Sequence, residues 1–293
     1  MGRDLVLAVG RQAAIGAFGV SIEVGDSVTQ EISGDQRLPF GQAVRYLLFN
    51  LRRLVGSLGR GPKSTPFFPA QESIAAFSTQ SPSRLLTEAF LSERLAGLVP
   101  SGRLSIVEIG CGSGFMSRRM SDLGISGSYL GLDIGDRFAA TDTPNLSVRF
   151  QRGDAHAFET SPDSVDLLFS FSALEHIPRD ADLIRKFEAF MRPGGVEIHI
   201  VPAGAALFTY LWHGYRQYTP VMIAERFPGA DLTRLGGLGS LLLHMLVITP
   251  EMAFGKFFRS RFVRTYQTML RAALKIDRLL PVCPTSFVVV RRH

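Results

Sequence analysis

The sequence predicts an α/β fold, a doubly wound, mostly parallel sheet with helices on both faces. Two observations carry this. Between residues 104 and 201, short apolar or β-branched runs alternate with stretches of helical periodicity. That alternation lays strands side by side and returns the chain through helices. The first run, residues 104–109, enters a turn, Gly110-Cys111-Gly112-Ser113-Gly114, that opens a helix. Glycine takes positive φ at little cost and lets a ligand approach the backbone. The helix behind the turn points free N–H groups back at it.

Residues 1–62 carry the weakest pattern, with turns at Gly25, Asp26, Ser33, Gly34 and Asp35. Residues 42–58 set Tyr46, Leu47, Leu54 and Val55 against Arg45, Arg52 and Arg53, a basic amphipathic helix. It either packs with its basic face in water, lies on a membrane surface, or meets a partner. Pro62, Pro66 and Pro69 mark a linker. Ser81-Pro82 caps and starts a helix over 82–98, whose stripe is Leu85, Leu86, Phe90, Leu91, Leu95 and Leu98.

Strand one is 104–109 and its helix 115–123; strands two to four are 128–133, 147–151 and 165–172. The connection 134–146 is short and holds Pro144, so its helix is reduced. A helix over 180–191 stops at Pro193-Gly194-Gly195, before strand five at 196–201. Beyond Pro202 the pattern loosens. Residues 256–280 read as a basic helix and 287–292 as a β-branched strand.

With 293 residues, 46% of them hydrophobic and 20% charged, the chain is globular and not disordered. Cys111 and Cys283 cannot build a disulfide framework, which suits a reducing compartment. Residues 5–9 are too short for a secretory core, and the apolar run 238–248 falls short of a membrane span. The expected location is cytoplasmic, with peripheral membrane contact left open. Of the net charge of +6, residues 251–293 hold nine basic and two acidic side chains, so the rest is close to neutral.

A dinucleotide loop would read G-x-G-x-x-G, but Phe115 stands where its third glycine belongs. Glu108 would repel pyrophosphate and suits an ammonium or sulfonium ligand. Val107-Glu108-Ile109-Gly110-Cys111-Gly112-Ser113-Gly114 resembles motif I of the class I S-adenosylmethionine-dependent methyltransferases. The resemblance covers about residues 83–203. It implies a Rossmann-like sheet closed by an antiparallel last strand, methyl transfer as the activity and S-adenosyl-L-methionine as the cofactor.

It also implies a cofactor site. Glu108, Gly110, Cys111, Gly112 and Gly114 would floor it. Asp133, with Ile134, would take the ribose hydroxyls at the end of strand two. Asp154 and Ala155 would meet the adenine, and Phe171 and Ser172 the methionine part. Residues 191–195 match the turn before strand five. In this scheme 287–292 is strand seven and 243–248 strand six, with 250–286 inserted between them. Cys111 reads as a small residue that fits, not a reactive thiol. No metal site is read from the sequence.

Methyl transfer from a sulfonium needs an acceptor held in line and a place for its proton. His176, just after strand four, is the candidate base, unless Glu175-His176 is only structural. Residues 210–220 gather Tyr210, Trp212, Tyr215 and Tyr218 with His213 and Arg216, either an acceptor site or a hydrophobic lid. Residues 254–266 interleave basic and aromatic side chains, to grip an anion or simply to pack. His199 reads as a core histidine.

The chain divides into an N-terminal extension and linker (1–81), a cofactor-binding core (82–203) and an acceptor-recognition region with the final strand (204–293). The expected acceptor is a small molecule, saccharide or lipid-linked metabolite, methylated on oxygen. Phe169-Ser170-Phe171-Ser172 is not the motif of enzymes that methylate planar nitrogens. Nucleic acid is disfavoured, RNA being supported by the basic C-terminus alone. A catalytically silent partner protein is the remaining rival. Nothing in the sequence sets the oligomeric state.

Overall fold

The candidate residues lie at strand ends, so strand order decides whether they meet. A computed structural model of the protein describes residues 32–35, 38–139, 142–210, 213–255 and 258–293. The turn residues Gly25 and Asp26, and Leu211, Trp212, Lys256 and Phe257 of the two aromatic segments, lie outside them.

In chain order the elements are α1 (Phe40–Gly56), β1 (Thr65–Phe67), α2 (Gln71–Ala76), α3 (Pro82–Leu98), β2 (Arg103–Ile109) and α4 (Phe115–Asp122). Then come β3 (Ser126–Asp133), β4 (Leu146–Arg152), β5 (Val165–Phe171), α5 (Asp180–Glu188) and β6 (Met191–Pro202). The last part holds α6 (Pro220–Arg226), β7 (Asp231–Leu235), α7 (Leu238–Leu243), α8 (Thr249–Phe254), α9 (Phe258–Arg261), α10 (Val263–Leu279) and β8 (Ser286–Arg292). Helix α3 starts as its sequence predicts: the Ser81 hydroxyl accepts the Arg84 N–H at 3.3 Å, and Pro82 occupies the first turn. Among the described residues no helix joins β3 to β4.

The eight strands lie in the order β1-β7-β8-β6-β5-β2-β3-β4. From β4 across to β6 all neighbours are parallel. Strand β8 runs antiparallel to both β6 and β7, which is the antiparallel last strand the family resemblance implies. Alternate residues of each central strand enter opposite layers. Leu104, Ile106, Leu167, Phe169, Ile198 and Val288 pack with α3 and α10. Val107, Ile109, Leu168, Val201 and Val289 pack with α5 and α6. Both faces are covered, so the strands read as continuous apolar runs.

Three expectations are corrected. Residues 243–248 are not strand six. That strand is β7, and the apolar run instead forms α7 and a π turn (His244–Ile248) that leads into α8. The physical reason is close helix packing. A Cβ on Gly239 would lie 2.1 Å from the Ala273 carbonyl oxygen of α10. Asp277 of α10 accepts the Ser240 N–H at 2.9 Å and also takes its hydroxyl. The described part of the insertion between the last two strands therefore begins just after Leu235 and is helical. Strand β6 begins at Met191, with Gly194 at φ 85° in an irregularity of the β5 pairing, so the Pro-Gly-Gly stretch bends a strand and does not precede one. Finally, the linker holds β1, an edge strand parallel to β7 that the sequence did not announce; Pro62 and Pro69 flank it and Pro66 lies within it, which an edge tolerates.

Inside the sheet, Glu197 of β6 faces Arg291 of β8 in register and receives two hydrogen bonds of 2.9 Å from it. Glu197 is fully buried and Arg291 nearly so. Burial pushes the Glu197 carboxyl up, but the neighbouring His199, His293 and Arg291 outweigh it and hold it well below the ordinary range. Replacing Arg291 by Met leaves a buried carboxylate short of its main partner. The expected cost is about 3 kcal/mol, read as a lower urea midpoint at unchanged slope.

Candidate active site

The β2–α4 turn is built from three glycines in left-handed geometry, Gly110 at φ 72°, Gly112 at 55° and Gly114 at 83°. They differ in what confines them. A Cβ on Gly110 would sit 2.4 Å from the Ala173 side chain, and one on Gly114 2.3 Å from the Phe150 ring. A Cβ on Gly112 would meet nothing within 4 Å. Gly110 and Gly114 serve the protein's own packing, whereas Gly112 faces open space.

The end of β3 holds this turn in shape. Asp133 accepts the Gly112 N–H at 2.7 Å on one oxygen and the Gly135 N–H at 2.8 Å on the other. Asp133 pairs in register with Arg152 of β4, and the Gly153 N–H reaches the Asp133 carbonyl at 2.8 Å, so Asp154 follows on the adjacent strand end. The Asp154 carboxylate accepts the His156 N–H at 2.8 Å and caps a short turn, Ala155–Ala157. Ile134 projects into solvent, 79% exposed.

A cavity of about 420 Å³ opens over the glycine turn, walled by Arg84, Glu108, Gly110, Cys111, Gly112 and Phe171 among others. Glu108 is buried on its floor and takes the Tyr129 hydroxyl proton as a hydrogen bond. Burial pushes its carboxyl up to about 8; the Tyr129 bond offsets part of this and the Asp133 charge adds to it. Burial, with Glu108 and Asp133 nearby, pushes the Cys111 thiol up to about 12. Cys111 is therefore no nucleophile at neutral pH. Asp133, Ile134, Asp154 and Ala155 lie along the same strand ends but outside the walls of this cavity.

A second cavity, of about 590 Å³, shares Arg84 and Phe171 with the first. Its further walls include Ser172, Glu175, Tyr210, His213 and His244. The Arg84 guanidinium lies 5.1 Å from the Phe171 ring centre and 5.2 Å from that of Phe115, and pairs with Glu88 at 2.7 Å. Sequence reading missed Arg84, because it sits on a helix legible only as a core stripe. Burial pushes the His244 imidazole down to about 4, leaving it neutral, with Nε2 2.8 Å from the Tyr210 hydroxyl.

His176 does not line either cavity. Its Nδ1 is 2.6 Å from Asp35 Oδ2. His213, from the aromatic segment after β6, stands on the second cavity's wall, as His244 does. Burial pushes its imidazole down, but Glu175 and Asp35 outweigh that and raise it. Its backbone is clasped: the Tyr46 hydroxyl donates to the His213 carbonyl at 2.8 Å and the Gln217 amide at 2.9 Å. Arg216, 1% exposed, donates to the carbonyls of Leu174 (3.3 Å) and Ile177 (2.7 Å) and lies 3.3 Å from Asp180. Tyr218 donates to Asp180 at 2.6 Å and Arg226 at 2.7 Å. His199 is a buried core histidine, as the sequence predicts, 2.8 Å from the Ser170 hydroxyl.

Of the basic C-terminal residues, Arg259 and Arg291 are paired with buried Glu251 and Glu197. Helix α1 buries Tyr46 and Asn50 and leaves Phe40, Leu48 and Val55 exposed. Among the described residues no helix is long and apolar enough to cross a membrane.

Residues 106–195 match a family described as a methyltransferase domain. Over 114 residues the chain is 32% identical to the trans-aconitate 2-methyltransferase of Deinococcus radiodurans, covering 37% of this chain and 42% of that one. Over 158 residues it is 30% identical to the ubiquinone biosynthesis O-methyltransferase of Cupriavidus pinatubonensis, covering 45% and 62%. The chain thus spans between two fifths and two thirds of the length of these curated relatives. The solved cyclase SpnF shares the fold, with a TM-score of 0.51 at 15% identity over 86% of this chain and 94% of that one. The matched span holds the glycine turn, Glu108, Asp133 and the strand ends that wall the first cavity, and over that span the chain is similar to S-adenosylmethionine-dependent methyltransferases of class I.

Proposed function

We propose that this protein transfers the methyl group of S-adenosyl-L-methionine to an oxygen of a small-molecule, saccharide or lipid-linked acceptor. The observation that carries this is the pair of cavities meeting at Arg84 and Phe171. A cofactor in the first would present its methionine end to an acceptor in the second.

The residues of the first cavity fit that cofactor. Arg84 shares the cavity but pairs with Glu88, so the buried Glu108 carboxyl has no cationic partner of its own, and a positively charged amino acid moiety would supply one. Each Asp133 oxygen already accepts one backbone N–H and keeps a lone pair for a ribose hydroxyl. Ile134, Asp154 and Ala155 stand beyond it, where the base would lie. Phe171 and Ser172 flank the methionine part, and Arg84 meets its carboxylate. When bound, the cofactor supplies a methyl group on a sulfonium leaving group.

The chain's own part is to orient the acceptor, keep water out and take a proton. Tyr210 and the neutral His244 form the polar, aromatic wall against which the acceptor lies. Its proton leaves towards the pair His176–His213, of which His213 stands on the wall. The division of labour follows the chain: residues 82–203 wall the cofactor, 204–293 recognise the acceptor, and 1–81 contribute the Tyr46 clasp. The relatives named an O-methyltransferase and a trans-aconitate methyltransferase support an acceptor of this kind.

Calorimetry should show one equivalent of S-adenosylhomocysteine bound and no binding of NAD. Gly112→Ala should cost roughly 1–2 kcal/mol of stability through its left-handed backbone, yet weaken cofactor binding at least tenfold, because the methyl enters open space. Unchanged affinity would refute the placement. With radiolabelled cofactor and cell extract, label should enter the small-molecule or lipid fraction; label confined to RNA would overturn the acceptor class.

Glu108 gives a pH test. Its carboxyl is raised to about 8 in the folded chain, so the folded state holds a proton that the unfolded state loses near pH 4.5. Its contribution is fully present below pH 4.5 and is lost as pH rises through 8. Glu108→Gln should therefore melt progressively higher than the parent as pH climbs from 5 to about 8. Affinity for the cationic cofactor should rise with pH over the same window in the parent and stay flat in the variant.

A further inference from the structure

We propose that Asp35, His176 and His213 form a binding site for a divalent first-row transition-metal ion at the edge of the second cavity, with Glu175 as the carboxylate behind both histidines. The site is invisible in the sequence, where Asp35 and His176 stand 141 residues apart.

One donor atom from each of the three residues falls within 4.8 Å of the others. Asp35 Oδ2 is 2.6 Å from His176 Nδ1, and Asp35 Oδ1 is 3.9 Å from His213 Nδ1. The two rings stand edge to face, 4.6 Å between centres. Each ring turns its Nδ1 towards Asp35 and its Nε2 towards Glu175, at 3.9 Å for His176 and 3.7 Å for His213. The imidazoles are thus sandwiched between two carboxylates. A metal-bound histidine shows the same two-sided arrangement, one nitrogen on the ion and the other N–H aimed at a carboxylate. Closing the donor atoms to the roughly 3.3 Å edge of a tetrahedral site needs side-chain shifts of about 1 Å.

A second observation points the same way independently. Glu175 is fully buried, and neither of its carboxylate oxygens has a hydrogen-bond partner. A buried carboxylate without compensation is costly. A cation on the two Nδ1 atoms would fix both protons on Nε2, the atoms that face Glu175.

The scaffold is rigid where it matters and open where an ion must enter. Gly214 N–H donates to Asp35 at 2.9 Å, Gly34 N–H to the Gly214 carbonyl at 2.6 Å, and Tyr215 N–H to the Glu175 carbonyl at 2.6 Å. The Asp35, His176 and His213 side chains remain about a third exposed. Two imidazoles and one carboxylate suit zinc, iron, cobalt or manganese, and three protein ligands leave a position free. The use of that position rests on the methyl-transfer reading: it would take the acceptor oxygen and make its proton easier to remove, and with both imidazoles occupied as ligands the Glu175 carboxylate on the same cavity wall would receive that proton.

The test reads metal binding, not turnover. Full-length protein is stripped with chelator and titrated with Co²⁺, following visible absorbance, then with Zn²⁺ in competition. The expected result is one equivalent bound at micromolar affinity or tighter. Asp35→Asn and His176→Gln should each weaken it at least tenfold, and Glu175→Gln by about tenfold or more. S-adenosylhomocysteine affinity should stay within twofold in all of them, which shows that they are folded. No Co²⁺ band at about 100 μM metal would overturn the proposal. So would binding that survives both Asp35→Asn and His176→Gln, since the ion would then sit elsewhere. If the metal binds but no methyl is transferred, only the methyl-transfer reading falls.

Discussion

Arg216 is the charge on which the walls of the second cavity depend. Its guanidinium is almost wholly out of water and answers two backbone carbonyls and Asp180. It thereby ties the segment after β6 to the turn after β5. Those two segments carry His213 and Glu175–His176 respectively. Tyr218 and Arg226 complete the Asp180 carboxylate, so none of the buried charges is left alone. Such a cluster gives little net stability compared with apolar packing, but removing one member strands the rest at several kcal/mol. Its value here is positional: it fixes which side chains face one another across the cavity.

The rim it builds has an electrostatic division. Two buried carboxyls, Glu108 and Glu175, floor neighbouring cavities, and Arg84 stands between them. Glu108 lies under the glycine turn, where a cationic cofactor fits. Glu175 lies behind two histidines, where proton handling fits. Neither carboxyl finds an Arg or Lys of the chain within salt-bridge reach among the described residues: Glu108 keeps the Tyr129 hydroxyl and a raised affinity for its proton, whereas both Glu175 oxygens lack a hydrogen-bond partner. Arg84 itself is held by Glu88 and two aromatic rings, so it can reach both cavities without collapsing onto either floor.

Helix and strand patterns were legible where the signal is local. The alternation from β2 to β6 and the Ser81 cap were readable from periodicity and side-chain chemistry. The glycine turn was readable too, since positive φ demands its residues. Asp133 and Asp154 could be placed at strand ends, and the structure sets those ends side by side. The apolar run 238–248 misled because apolar runs do not distinguish a buried strand from a buried helix. Strand β7, Asp-Leu-Thr-Arg-Leu, was missed because it is short and its partly polar pattern only becomes a strand against β8 and β1.

By itself the sequence determined the fold class and carried the resemblance to a methyltransferase domain with its glycine turn, because both rest on residues close together along the chain. Only the tertiary structure decided that His213 and His244, and not His176, line the second cavity. Nothing local relates Asp35 to His176 or His213, or Arg84 to Phe171. Those meetings are made by a buried arginine, a tyrosine clasp and the order of the strands, and such long-range contacts leave no periodic trace in a single chain.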